Sequence, residues 1–173
     1  MAKTTFRYLL LLCVLIPLQA VVFNHLVLFN CAVPLAFVYL IICLPAALST
    51  NKSLTAGFVV GLLVDIFSDT YGINALACTI LAFMRKPVMH LYVSREEEAS
   101  PELSTMSTLG AVTFMKYALT MSLIYCLLMF TIEAFGFFDP ERLLIRAGAS
   151  TIYTFIVISA ISGLSASKRE KKL

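Results

Sequence analysis

Charged residues are scarce in this chain and are missing altogether from two long stretches. Asp, Glu, Lys and Arg make up 13% of the 173 residues, whereas a soluble domain carries roughly 25%. Residues 8–51 and 147–167 contain none of the four. Hydrophobic residues make up 60% of the chain, and a soluble fold of this length could not bury so much apolar surface. We therefore exclude a water-soluble protein and expect an integral membrane protein.

The chain also lacks the sequence patterns typical of enzymes, metal sites and nucleic-acid-binding proteins. It contains no H-E-x-x-H motif, no G-x-S-x-G turn and no phosphate-binding loop. Its five cysteines show no C-x-x-C spacing, and its net charge is only +3. We therefore expect a protein that is not an enzyme, with no cofactor, no metal and no bound nucleic acid.

The hydropathy pattern predicts an all-α integral membrane protein, with residues 1–173 forming one bundle of six spans. A helix that crosses a bilayer needs about 20 residues, so the uncharged residues 8–51 fit two crossings. The first apolar run continues past Ala20 and is expected to be an uncleaved span rather than a cleaved signal peptide. The expected spans are residues 8–27, 33–48, 54–68, 73–84, 109–132 and 143–164.

Lysine and arginine predict the orientation of this bundle, because cytoplasmic segments are enriched in both. The expected outer loops hold only Arg142. The expected inner segments hold Lys3, Arg7, Lys52, Arg85, Lys86, Arg95, Lys168, Arg169, Lys171 and Lys172. We therefore expect both termini to lie on the cytoplasmic side.

The most informative stretch, residues 57–75, begins in the third expected span. Gly57, Gly61 and Asp65 are spaced by four and share one helix face, and glycines at this spacing allow another helix to approach closely. A carboxylate inside a span is costly unless it is paired or hydrated. The residues leave two interpretations open for Asp65, which are a proton or ligand site and a clamp between helices.

Arg146 is the candidate ion-pair partner of Asp65 in the clamp interpretation. It enters the sixth expected span from the outer side, at a depth similar to that of Asp65. A paired charge would offset the cost of placing the carboxylate in the membrane. The alternative form of the clamp has Asp65 accepting hydrogen bonds from a neighbouring helix.

The stretch resembles the MreD family of bacterial rod shape-determining proteins. These proteins have about this length, five or six apolar spans and a central G-x-x-x-G-L-x-x-D segment, followed by a polar turn and G-x-x-A. The corresponding residues here are Gly57, Gly61, Leu62, Asp65, Gly72 and Ala75. The likeness is strongest between Phe29 and Tyr92, and residues 99–173 are similar only in hydropathy and number of spans.

The resemblance implies a non-enzymatic scaffold of the cell-elongation machinery in the bacterial inner membrane, surrounded by lipid. The direct partner it implies is MreC, a single-span protein with a periplasmic domain. The complex would couple MreB filaments to a RodA-type glycosyltransferase and a class B penicillin-binding protein, and so to peptidoglycan synthesis and rod shape. The resemblance also implies a fold similar to the substrate-capture subunits of energy-coupling-factor transporters.

A vitamin-capture subunit of such a transporter is the alternative function, because it would share the expected fold. These subunits resemble one another in an A-x-x-x-A pattern on the first span, used for docking on the shared transporter subunit. The first expected span here contains a single alanine, Ala20, and the chain has no tryptophan to line a vitamin site. The sequence therefore favours the scaffold.

Overall fold

All the regular structure in the described part of the chain is helical. The computed structural model describes residues 2–23, 33–93, 104–133 and 140–170, and these ranges contain helices and no strand. The helices are α1 (Ala2–Val21), α2 (Val38–Ile42), α3 (Thr50–Ser68), α4 (Ile73–Tyr92), α5 (Met106–Leu109), α6 (Ala111–Glu133) and α7 (Pro140–Glu170).

Three of these helices are long and apolar enough to cross a membrane. They are α3, α6 and the Leu143–Leu164 part of α7. This confirms the all-α class and the transmembrane character expected from hydropathy. Residues 24–27 of the first expected span, and the basic residues Arg95, Lys171 and Lys172, lie outside the described residues.

The bundle is organised around an antiparallel pair formed by α3 and α4. The four-residue turn 69–72 joins them, α6 also packs against α4, and α7 packs against α6. Helix α4 continues to Tyr92 instead of ending at residue 84 as the hydropathy predicts. Arg85 and Lys86 therefore lie within the helix and do not close it.

The second expected span, residues 33–48, is not a continuous helix. Only Val38–Ile42 is helical, and five residues at the α-helical rise cover about 8 Å, against a hydrocarbon layer of about 30 Å. All side chains from Leu35 to Leu44 are buried, so we call residues 33–48 the buried segment. Hydropathy cannot separate a buried helix from a buried irregular segment, because both are uniformly apolar.

Gln19 of α1 supplies hydrogen bonds to the beginning of the buried segment. Its side-chain Nε2 donates to the carbonyl oxygen of Pro34 at 3.0 Å, and its Oε1 accepts from the backbone N–H of Ala36 at 2.9 Å. Both backbone groups lie outside any helix and away from water, where an unpaired polar group is costly. One amide side chain thus replaces two hydrogen bonds that a helix would have made internally.

Two hydroxyl groups of α7 complete this end of the buried segment. Ser150 Oγ accepts from the backbone N–H of Val33 at 3.2 Å, and Thr154 Oγ1 accepts from that of Leu35 at 3.0 Å. The spacing of four places both hydroxyls on one face of α7. The buried segment is therefore held between the first and last helices of the bundle.

Arg85 and Ser104 bind the other end of the buried segment. The Arg85 guanidinium donates to the carbonyl oxygens of Pro45, at 3.1 Å, and Leu44. Ser104 Oγ also donates to the Leu44 carbonyl, at 2.9 Å. Both carbonyls lie in the irregular backbone beyond the end of α2, where polar groups away from water need partners from within the protein.

Replacement of Gln19 by leucine tests this account of the buried segment. Gln19→Leu leaves the Pro34 carbonyl and the Ala36 N–H buried without these partners, which should lower the free energy of unfolding by roughly 2–5 kcal/mol. Thr55→Ala is the matched control, because the exposed Thr55 hydroxyl only donates to the Asn51 carbonyl of its own helix. Thermal unfolding in detergent measures the stability of both variants. Equal unfolding midpoints for Gln19→Leu and Thr55→Ala would contradict the role of Gln19 in the buried segment.

Candidate functional site

Gly57 and Gly61 allow α3 to lie directly against α4. A Cβ atom built at Gly57 would come within 2.7 Å of the Ala82 Cβ, and one at Gly61 within 2.6 Å of the Ala75 Cα and against the Asn74 carbonyl oxygen. Real Cβ atoms essentially never come closer than 3.0 Å to such neighbours, so glycine fits and alanine does not. The glycine face that the spacing predicts is therefore packed against a helix of the same chain.

The Asp65 carboxylate caps the beginning of α4 from the end of α3. Its Oδ1 accepts from the backbone N–H of Asn74 at 3.1 Å, and its Oδ2 accepts from that of Ala75 at 2.8 Å. These are the second and third residues of α4, whose N–H groups have no partner inside the helix. The partial positive charge of the helix N-terminus also favours a carboxylate at this position.

The turn between the two helices explains why the capping group comes from the preceding helix. Gly72 occupies the N-cap position of α4 at φ 81°, a left-handed conformation that favours glycine. It has no side chain with which to cap the helix. The backbone N–H of Thr70 bonds to the Asp65 carbonyl at 3.1 Å, which closes the turn over the carboxylate.

Side-chain hydrogen bonds extend this cap to a third helix. The Thr70 hydroxyl donates to Asp65 Oδ1 at 2.5 Å, and Asn74 Nδ2 donates to the same oxygen at 3.0 Å. The Tyr125 hydroxyl of α6 then donates to Asn74 Oδ1 at 2.5 Å. We call Gly57, Gly61, Asp65, Thr70, Gly72, Asn74, Ala75 and Tyr125 the glycine–aspartate joint.

Four donors bind the Asp65 carboxylate within the joint. Oδ1 accepts from the Thr70 hydroxyl and from the backbone and side-chain amides of Asn74, and Oδ2 accepts from the backbone N–H of Ala75. The side chain is also buried. This geometry favours the clamp interpretation over a proton or ligand site, and in particular the form in which a neighbouring helix donates the hydrogen bonds.

The predicted pairing of Asp65 with Arg146 is wrong. Arg146 instead lies 3.9 Å from the Glu133 carboxylate, with side chains 42% and 43% exposed, and its guanidinium stands over the Phe130 ring, 4.9 Å from the centroid. The prediction used depth along the spans alone. Depth can be estimated from sequence, but which helices are neighbours is set by tertiary packing, and α7 packs mainly on α6.

Three polar residues of the interior have roles that the sequence analysis did not assign. Gln19 and Asn74 are amides within or beside apolar runs, and this alone could have marked them as hydrogen-bonding residues. Arg85 was counted among the charges of the cytoplasmic side, yet it is fully buried while its neighbour Lys86 is half-buried. Its contacts with carbonyl groups could not be read from the pattern of charges.

Comparison with known proteins identifies no relative of this chain. No family model, curated protein or solved structure matches the chain.

Substitution of Gly61 by alanine tests the close approach of the two helices. The added methyl group must displace the backbone of α4 at the residues that Asp65 caps, and overpacking of this kind costs typically 1–3 kcal/mol. Gly148→Ala in α7 is the control, because a Cβ there meets nothing within 4 Å, and alanine favours a helix over glycine by roughly 0.5–1 kcal/mol. Thermal unfolding should show the first variant destabilised and the second unchanged or stabilised.

Two replacements of Asp65 separate its hydrogen bonds from its charge. Asp65→Asn keeps one acceptor oxygen and should cost about 1–2 kcal/mol, whereas Asp65→Leu loses all the bonds and should cost about 3–5 kcal/mol. Arg146→Ala should cost less than either, since Arg146 contacts the half-exposed Glu133. Equal losses for the asparagine and leucine variants, measured by thermal unfolding and membrane accumulation, would show that the charge itself is required.

Proposed function

We propose that this protein is a non-enzymatic scaffold of the bacterial cell-elongation machinery, similar to MreD. In this role it binds MreC in the inner membrane and helps to couple MreB filaments to peptidoglycan synthesis by a RodA-type glycosyltransferase and a class B penicillin-binding protein. The support comes from the residues that carry the resemblance, from Gly57 to Ala75, and from what these residues do together.

The glycine–aspartate joint is the observation that carries the proposal. Gly57 and Gly61 admit α4, Gly72 forms the turn, and Asp65 caps α4 through Asn74 and Ala75. The residues of the family pattern thus act as one packing unit. Its hydrogen-bonding groups bind one another, which suits a protein that works by holding helices in a fixed arrangement and presenting its outer faces to partners.

The proposal includes six crossings of the membrane with both termini in the cytoplasm. The buried segment would form the second crossing without a continuous helix. Irregular backbone is tolerated at membrane depth only where protein groups satisfy it, and Gln19, Ser150, Thr154 and Arg85 meet that requirement. The proposal also includes the fold that the resemblance implies, similar to that of the substrate-capture subunits of energy-coupling-factor transporters.

Partner binding would use the apolar faces that the bundle leaves uncovered. Helix α1 exposes Phe6, Leu10, Val14 and Val21, and α3 exposes Phe58 and Ile66 among others. In a membrane these faces meet lipid or the span of another protein. The single span of MreC is a partner of matching chemistry, because association between spans rests on packing and not on burial from water.

Purification of the tagged protein from its native membrane in mild detergent tests the proposal. Mass spectrometry should recover MreC together with a RodA-type glycosyltransferase and a class B penicillin-binding protein. Gly148→Ala should retain these partners, since it leaves the packing unchanged, and Asp65→Leu should lose them in proportion to the loss of folded protein. Depletion of the protein should turn rod-shaped cells round.

A different set of partners would contradict the scaffold. Recovery of ATP-binding transporter subunits without MreC would instead indicate a capture subunit. Rod shape that persists on depletion, together with a preparation free of MreC, would also exclude the proposed role. Fusions of a cytoplasmic and a periplasmic reporter to each terminus test the orientation, and activity of the periplasmic reporter at either terminus would overturn it.

A further inference from the structure

Helix α6 carries an exposed lysine within its apolar length. Lys116 lies five residues after the helix begins at Ala111, about 8 Å along its axis, and its side chain is exposed. Within the part of the chain that the structure describes, no acid forms an ion pair with it. Glu133, the acid of the same helix, is about 26 Å away. The ammonium group therefore faces outward from the bundle, where a long side chain can reach the edge of the membrane.

Two hydroxyl groups from different helices meet one turn further along α6. The Tyr92 hydroxyl, from the last residue of α4, lies 3.1 Å from Thr120 Oγ1 at the exposed surface. Thr120 Oγ1 also donates to the Lys116 carbonyl oxygen at 3.0 Å, so the Tyr92 hydroxyl is the donor in the contact between the two hydroxyls. Lys116 and Thr120 are four residues apart and share one helix face. Residues of α4 and α6 thus form a polar surface together.

The proton of the Thr120 hydroxyl is available to a ligand. The Lys116 carbonyl to which it donates also accepts a backbone N–H within the helix, as every interior helix carbonyl does. Loss of the hydroxyl bond therefore leaves that carbonyl with a partner, and a hydroxyl group rotates to suit its acceptor. Thr120 can donate to an acceptor outside the protein while its oxygen still accepts from Tyr92.

Apolar residues continue the face on which Lys116 and Thr120 lie. Leu119 and Leu123 are 44% and 43% exposed, and they follow Lys116 by three and seven residues, which is the spacing of one helix face. We call Tyr92, Lys116, Leu119, Thr120 and Leu123 the α4–α6 seam. From the end of the bundle inward, the seam presents a cation, a hydroxyl donor and an apolar surface. A phospholipid presents its phosphate, its ester carbonyls and its acyl chains in the same order.

We propose that the α4–α6 seam binds one anionic phospholipid. The lipid phosphate pairs with Lys116, an ester carbonyl accepts from the Thr120 hydroxyl, and the acyl chains lie along Leu119 and Leu123. The Tyr92 hydroxyl donates to the Thr120 oxygen and so directs the Thr120 proton toward the lipid. Net charge selects the class of lipid, because basic residues at a membrane surface attract anionic lipids. The site is separate from the glycine–aspartate joint and does not depend on the scaffold function.

Helix α3 offers a matched comparison at the same end of the bundle, because it is antiparallel to α4 and begins where α4 ends. Lys52 and Thr55 are exposed near its beginning, and Thr55 donates to the carbonyl of the residue four positions earlier at 3.0 Å. Lys52 is only two residues into the helix, and among the described residues no hydroxyl of a second helix bonds to Thr55. A lysine and a threonine on one helix can thus be compared with the same pair in the seam.

Native mass spectrometry of the full-length protein, released from detergent, tests the site. The probes are phosphatidylglycerol and phosphatidylcholine with identical acyl chains, added at equal concentration. The wild-type protein should retain one molecule of phosphatidylglycerol about fivefold more strongly than phosphatidylcholine, which is the preference expected from one lysine near a membrane surface.

Variants of the seam separate the phosphate contact from the ester contact. Lys116→Gln removes the charge and should reduce the preference for phosphatidylglycerol to less than about twofold. Thr120→Val keeps the shape and removes the donor, so it should weaken the retention of both lipids about threefold and leave the preference unchanged. Tyr92→Phe leaves the Thr120 hydroxyl without its donor and should weaken the retention of both lipids by a smaller factor.

The control variants Lys52→Gln and Thr55→Val should leave both the retention of lipid and the preference unchanged. Equal retention of the two lipids by the wild-type protein would overturn the proposal. A loss of preference in Lys52→Gln as large as that in Lys116→Gln would also overturn it, since any exposed lysine would then suffice. Displacement of the bound lipid by excess inorganic phosphate would show that the seam recognises the free ion and not a lipid.

Discussion

The interior of this protein depends on finding partners for backbone groups where neither water nor a regular helix supplies them. Residues 33–48 run through the core with only five helical residues, and the free N–H and C=O groups at their ends bond to side chains. Those side chains belong to α1, α4 and α7 and the short segment before α5. Because residues 33–48 lack helical hydrogen bonds at their ends, side chains from helices far apart in sequence bond to the same segment.

The same constraint explains the glycine–aspartate joint. The first N–H groups of α4 need an acceptor, and Gly72 cannot provide one. Asp65 can reach them only because α3 lies against α4 with no side chain at Gly61 to keep the backbones apart. The glycines and the aspartate therefore depend on one another. Close packing at Gly61 brings the carboxylate to the N-terminus of α4, and the hydrogen bonds of the carboxylate hold α3 against α4.

Asp65 and Arg85, two buried charged residues in the described part of the chain, have different kinds of hydrogen-bond partner. Asp65 accepts hydrogen bonds from four donors, whereas Arg85 donates to carbonyl and hydroxyl groups. The first arrangement holds the end of α3 against the beginning of α4. The second joins α4 to the irregular backbone beyond α2 and to Ser104.

The sequence by itself determined the class of protein and the position of its central helices. Scarcity of charge and long apolar runs predicted an all-α membrane protein, because burial in lipid demands both. The spacing of Gly57, Gly61 and Asp65 predicted one helix face, because the period of an α-helix is a local property. Only the tertiary structure decided that residues 33–48 form a broken segment, that Asp65 caps α4 and that Arg146 pairs with Glu133. Each of these depends on which helices are neighbours, and an apolar run is compatible with many neighbours since hydrophobic burial has no direction.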